Sequence, residues 1–150
     1  MKIKVRNLEE LEVFAKKLAK KLKNGDVVSL IGDLGAGKTT LVQFLAKELG
    51  VEEYVTSPTF AIVNIYDGEY LINHMDLYRL EDPSELEQID YETYFYPDGI
   101  TFIEWAKMGG DYLPDDMIEI KITQIDDERL IEINGNSNRV SEMGEFKWKF

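Results

Sequence analysis

The stretch Gly32-Asp33-Leu34-Gly35-Ala36-Gly37-Lys38-Thr39 satisfies every fixed position of the pattern G-x-x-x-x-G-K-[ST]. That pattern demands an apolar strand before it and a helix after it, and both are written in the flanks. Val27-Val28-Ser29-Leu30-Ile31 is a short, mostly apolar run bounded by Gly25-Asp26 and Gly32, which predicts a buried strand. After Gly37, residues Leu41, Val42, Phe44, Leu45 and Leu49 form one apolar helix face, and Gly50 stops the helix. A strand, a glycine-rich turn and a helix N-terminus in that order make a cradle for phosphate. Backbone N–H groups turn inward, and the positive end of the helix dipole adds to them. Lys38 supplies a point charge toward the β- and γ-phosphates, and the Thr39 hydroxyl is the expected Mg²⁺ ligand. Thr40 either assists or is an ordinary helix-surface threonine. Asp33, Leu34, Gly35, Ala36, Gly37, Lys38, Thr39 and Thr40 are therefore the expected nucleotide-binding residues, with a nucleotide and Mg²⁺ as cofactors. No Asn-Lys-x-Asp segment that would read guanine follows a later strand, which favours ATP over GTP.

The remaining patterning predicts an α/β chain. Asn7 is the expected N-cap of a first helix, with Glu10 at the third position of a capping box. Leu8, Leu11, Ala15, Leu18, Ala19 and Leu22 recur at helical spacing, lysines crowd the end, and Asn24-Gly25 terminates it. Phe60–Tyr66 and Tyr70–Met75 flank Asp67-Gly68 and predict a hairpin. Sequence to about Tyr96 reads as helical or irregular. Ile100–Ile103 reads as a buried strand ending at Glu104, and Met117–Ile125 with Arg129–Ile133 as a second hairpin around Asp126-Asp127. The last dozen residues carry little signal. Strands alternating with helices, then hairpins, predict an α/β sheet with antiparallel additions in one domain spanning 1–150.

A phosphate-loop enzyme needs an acid at a strand end to hold Mg²⁺ or orient its water. Glu104 follows Ile100–Ile103 and Asp76 follows Tyr70–Met75. The two could share the metal directly and through water, and either could instead cap a surface turn. Thr56-Ser57-Pro58-Thr59-Phe60 lies where a γ-phosphate-sensing segment would lie, or is a plain Ser-Pro turn. His74 reads as a packed or hydrogen-bonded residue rather than a ligand or base. Trp105 reads as a core or partner-facing residue, and Arg79 as a salt-bridge partner rather than an in-chain arginine finger.

Composition excludes several classes. The chain has no cysteine, hence no disulfide, thiolate metal site or cysteine nucleophile. No apolar run approaches the ~20 residues of a membrane helix. Met1–Arg6 lacks the apolar stretch of a secretory signal, so a cytoplasmic protein is expected. Net charge is −12. Residues 1–50 carry ten Lys/Arg against six Asp/Glu, whereas residues 51–150 carry seven against 23. So acidic a chain is a poor match for a broad nucleic-acid face, because phosphate binding draws on basic neutralisation.

Several spaced segments coincide with one family. Gly-Asp-Leu-Gly-Ala-Gly-Lys-Thr-Thr (32–40), Ser-Pro-Thr-Phe (57–60), His-Met-Asp-Leu-Tyr-Arg-Leu (74–80), Ile-Glu-Trp (103–105) and Leu113-Pro114 occur in the family's order and spacing. Over roughly residues 7–134 the chain closely resembles the TsaE (YjeE) family, the ATPase component of bacterial tRNA threonylcarbamoyladenosine biosynthesis. The resemblance implies an α/β, P-loop NTPase-like three-layer fold with a mixed parallel and antiparallel sheet. It implies Mg-dependent ATP hydrolysis, weak alone, that supports a TsaD–TsaB complex modifying adenosine 37 of tRNA. By the same resemblance that transferase complex is expected to carry the tRNA and this chain to meet tRNA only indirectly; the chain is expected off the membrane and, alone, as a monomer or weak oligomer. By motif, Lys38 contacts phosphates and is catalytic with Asp76 and Glu104. Thr39, Glu104 and Asp76 hold the metal, Trp105 lies at the site, and Arg129 falls near the nucleotide. The family's first helix often carries a Thr and, four residues on, a Gly in a segment near the adenine. Leu11 and Ala15 stand there instead. Two other functions compete: a nucleotide or small-molecule kinase, which needs an arginine-rich lid that four arginines do not supply, and a nucleotide-gated binding module without turnover.

Overall fold

Neighbouring apolar residues on the strands pack in different directions, and this sets the layering. The computed structural model describes residues 1–33, 35–58, 62–134 and 138–143. Leu34 of the loop, Thr59 and Phe60 of the Ser-Pro-Thr-Phe segment with Ala61 after them, where the strand expected over Phe60–Tyr66 begins, and tail residues 135–137 and 144–150 lie outside the described residues. The chain runs β1 (Lys2–Val5), α1 (Leu8–Ala19), β2 (Val27–Ile31), α2 (Lys38–Glu48), β3 (Val63–Asp67) and β4 (Leu71–Asp76). A 3₁₀ turn at Pro83–Gln88 and α3 (Tyr91–Phe95) lead into β5 (Ile100–Glu104). A second 3₁₀ segment, Ala106–Tyr112, precedes β6 (Ile118–Ile125), β7 (Glu128–Asn134) and α4 (Asn138–Met143).

The strands form one 7-stranded sheet in the order β1-β7-β6-β2-β5-β4-β3. β6, β2, β5 and β4 are mutually parallel, while β3 and the β7–β1 pair add antiparallel edges. Side chains alternate across a pleated strand. Val28, Leu30, Phe102, Ile118, Ile120 and Ile122 accordingly pack under α1 and α2 with Leu11, Phe14, Leu18, Leu41 and Leu45. Val27, Met75 and Ile103 face the other way, into a smaller cluster with Leu77, Leu86 and Phe95. The result is the α/β sheet with antiparallel additions that the patterning predicts, in the mixed-sheet, three-layer form that the family resemblance implies.

Some boundaries differ from expectation. α1 ends at Ala19 rather than at Asn24-Gly25, because Lys21 and Leu22 both turn back to donate to the Leu18 carbonyl. The buried Asp26 carboxylate then accepts from the Lys23 backbone at 2.8 Å and from Arg139 of α4 at 2.7 Å. Arg139 thereby pins a helix, α4, at the start of the tail that carries little signal in sequence. Asn7 caps α1 through Glu10 N at 2.9 Å, but the Glu10 carboxylate takes the Arg6 guanidinium at 2.8 Å. β1 had no apolar run to announce it; its alternation of exposed Lys2 and Lys4 with buried Ile3 and Val5 lets it add to β7. β4 does not alternate. Lying inside the sheet, it is buried from Ile72 through Met75. Among the described residues, no helix is long and apolar enough to cross a membrane.

Candidate functional site

Three parallel strands deliver their last residues to one place. Leu30 of β2 is in register with Glu104 of β5, and Glu104 with Asp76 of β4. Strands in a sheet lie roughly 4.8 Å apart, so the two acids stand side by side at the carboxyl ends. Both share a sheet face with Phe102, the face covered by α2. β2 runs directly into the glycine loop, and α2 begins at Lys38 with Gly37 as its N-cap.

Two glycines are required by geometry. Gly37 sits at φ 106°, a left-handed conformation, and a Cβ there would approach the Arg129 side chain to 3.0 Å. At Gly32 a Cβ would lie 2.7 Å from the backbone oxygen of Ile122. Gly32→Ala must displace β6 or the loop. It is expected to destabilise the chain by about 1–3 kcal/mol and weaken nucleotide binding by about tenfold, checked by thermal melts alongside calorimetry.

Lys38 is 5% exposed. Its Nζ donates to the Gly32 carbonyl at 2.7 Å and sits 4.0 Å from the centre of the Trp105 ring. Burial pushes the Lys38 ammonium below its ordinary value, against the pull of Glu104, Asp76 and Asp33. Trp105 follows β5 in a left-handed conformation (φ 58°) and stacks obliquely on Tyr78, with ring centres 4.9 Å apart. It is thus a wall of the site rather than a core residue.

The Thr39 hydroxyl donates to Glu104, at 3.2 Å to Oε2 and 3.4 Å to Oε1. Asp76 accepts from Ser57 Oγ at 3.4 Å and from the Tyr78 backbone at 3.0 Å. Ser57, in the segment after α2, is therefore tied to a strand-end acid. Gln43 of α2 supports that segment by donating to the Val55 carbonyl at 2.7 Å. Arg129 of β7 reaches across to donate from Nε to the Ala36 carbonyl at 3.0 Å. Asp33 is exposed, and Thr39 and Thr40 are half-buried at the start of α2. Next to the loop, between Trp105 and the open face of β6, lies a cavity of about 790 Å³ bordered by Lys38, Lys107, Met117 and Lys121.

Other expectations fall outside this cluster. Leu11 and Ala15 are fully buried in the core that α1 shares with α2 and the sheet, so neither side chain is exposed to a ligand. Arg79 is exposed, and among the described residues no ion pair holds it, contrary to the salt bridge expected. His74 is packed and hydrogen-bonded, as its place in a strand suggested: it is fully buried, with Nε2 2.6 Å from Glu104 Oε2. A solitary histidine two residues before the acid that ends its strand does not announce that partner until the strand register is known.

Thr39, Glu104 and Asp76 are hard oxygen donors, the set that suits Mg²⁺. Among the described residues no group of three or more His, Cys, Asp or Glu converges into an all-protein cage. The arrangement combines an anion cradle, a buried cation and paired acids.

Comparison with known proteins points one way. A family model described as threonylcarbamoyl adenosine biosynthesis protein TsaE matches residues 5–131. The tRNA threonylcarbamoyladenosine biosynthesis protein TsaE of Bacillus subtilis is 43% identical over 135 residues, covering 89% of this chain and 84% of that protein. The protein of the same description from Haemophilus influenzae is 43% identical over 113 residues, covering 75% and 72%. The crystal structure of Bacillus subtilis YdiB superposes with a TM-score of 0.79 at 36% identity, over 95% of this chain and 90% of that one.

Proposed function

Because the chain belongs to the TsaE family, with its role in tRNA threonylcarbamoyladenosine biosynthesis, we propose that it works there as a Mg²⁺-dependent ATPase supporting a TsaD–TsaB complex. The observation that carries this reading is the convergence of Thr39, Glu104 and Asp76 beside the glycine loop and the buried Lys38.

In this reading the backbone N–H groups of residues 35–39 and the α2 dipole bind the phosphate tail. Lys38 exchanges its bond to the Gly32 carbonyl for phosphate oxygens, which restores full charge pairing to a buried ammonium. Thr39 and Glu104, with Asp76 beside them, hold Mg²⁺, which when bound neutralises charge developing on the phosphates. The Thr39 hydroxyl donates its hydrogen bond to Glu104 and so would keep its lone pairs for the ion. Asp76 is placed to orient the attacking water, and Ser57, bonded to Asp76, to report the state of the γ-phosphate. Arg129 steadies the loop through Ala36. The excess of acid after residue 50 leaves tRNA to the partner complex, in the cytoplasm.

The isolated chain is expected to hydrolyse ATP weakly and to be accelerated by a TsaD–TsaB complex. Phosphate release by the purified chain, with and without that complex, checks this. No acceleration, together with undiminished tRNA modification when the chain is omitted, would overturn the reading. Transfer of labelled phosphate to a small-molecule acceptor would point to a kinase instead.

A further inference from the structure

His74 is the only histidine in the chain and is fully buried in β4. Its register partner is Phe102, two residues before Glu104 on β5. The imidazole therefore reaches diagonally along one sheet face to the strand-end acid, a span open to long side chains. Nε2 lies 2.6 Å from Glu104 Oε2, while Nδ1 is buried with no partner among the described residues. Glu104 is itself 3% exposed.

A carboxylate can only accept, so a 2.6 Å contact requires Nε2 to carry the proton. With the proton on Nδ1 instead, two acceptors would face each other and a buried N–H would have nothing to bond. The Nε2–H tautomer leaves only a lone pair unmatched at Nδ1. Oε2 then receives both His74 and the shorter of the two Thr39 contacts, while Oε1 receives only the longer one.

We propose that His74 is a positioning residue that clamps Glu104 through Oε2 and thereby presents Oε1 as the oxygen that meets Mg²⁺ or its water. The inference rests on the reading of Glu104 as a metal-holding acid. A carboxylate fixed by a histidine inside the sheet cannot swing to grip the ion with both oxygens. It therefore holds one coordination geometry from turn to turn, as outer partners of metal ligands do.

The test uses the full chain, two variants and three measurements. His74→Leu keeps bulk without a donor, and His74→Gln keeps a donor. In metal-free protein, long-range proton–nitrogen NMR of the single imidazole should show the Nε2–H tautomer; an Nδ1–H tautomer overturns the proposal. By calorimetry, ATP affinity in excess Mg²⁺ should fall about three- to tenfold in His74→Leu, no further than in Glu104→Gln. The affinity of His74→Leu in EDTA should stay within about twofold, and His74→Gln should recover most of the loss. Equal losses with and without Mg²⁺ would mean a merely structural histidine, and wild-type behaviour of His74→Leu would mean none; either overturns the proposal. A wild-type chain whose ATP affinity gains nothing from Mg²⁺ would instead remove the metal reading of Glu104 itself, and the clamp with it. Should His74→Leu not fold, the tautomer and His74→Gln still decide.

Discussion

Lys38→Ala is expected to abolish measurable ATP binding. Among the described residues the side chain is the one buried cation, and its ammonium already pairs with the loop's own Gly32 carbonyl. Phosphate oxygens would replace that carbonyl with charge-assisted bonds, each contributing roughly 1.5–3 kcal/mol. Losing two such bonds lowers affinity by about 100-fold or more. The loss should be specific to binding, since the alanine removes an ion held against burial and leaves helix propensity intact. Isothermal calorimetry with ATP and Mg²⁺, run beside a thermal melt, separates the two effects. Undiminished affinity in a folded Lys38→Ala protein would dissociate the glycine loop from nucleotide altogether.

Glu104→Gln is expected to leave ATP affinity within about tenfold of wild type while lowering turnover by about 10²–10³-fold. Glutamine keeps the shape and an oxygen that His74 can still address, so the buried network survives. What disappears is the negative charge opposite Thr39, and with it the preference of the strand end for a divalent cation. Single-turnover hydrolysis measured at saturating ATP checks the split between binding and chemistry. Full activity in this variant would remove Glu104 from the metal shell and leave Asp76 as the sole acid of the site.

The parts of this site that could be read from sequence are local ones. The strand, the loop and the start of α2 are contiguous, so Val27–Thr39 declares itself through glycine spacing and apolar periodicity. Glu104 and Asp76 show because an acid ends an apolar strand. What stayed hidden depends on which strands are neighbours. That β2 lies between β5 and β6 cannot be read from β2, whose both-face burial looks the same beside any partner. The His74–Glu104 contact spans 30 residues and exists only in one register. Arg129 entered by resemblance alone, and its bond to Ala36 is visible only once β7 is placed beyond β6. The end of α1 was misjudged because Leu22 is buried, as helical periodicity suggested, yet just beyond the Lys20–Lys21 turn that ends the helix.

The sheet order also says something about how the chain is made. β2 emerges from the ribosome early, yet both its neighbours arrive late: Val27 pairs with Thr101, and Val28 with Ile118. Until those strands are synthesised, the glycine loop hangs from a strand with no ladder on either side, and β1 waits longer still for β7. Non-local pairings of this kind close slowly and together. A nascent chain that has only its motif segment therefore has the glycine loop without the sheet that shapes it, and the candidate site forms only once β5 and β6 have been made.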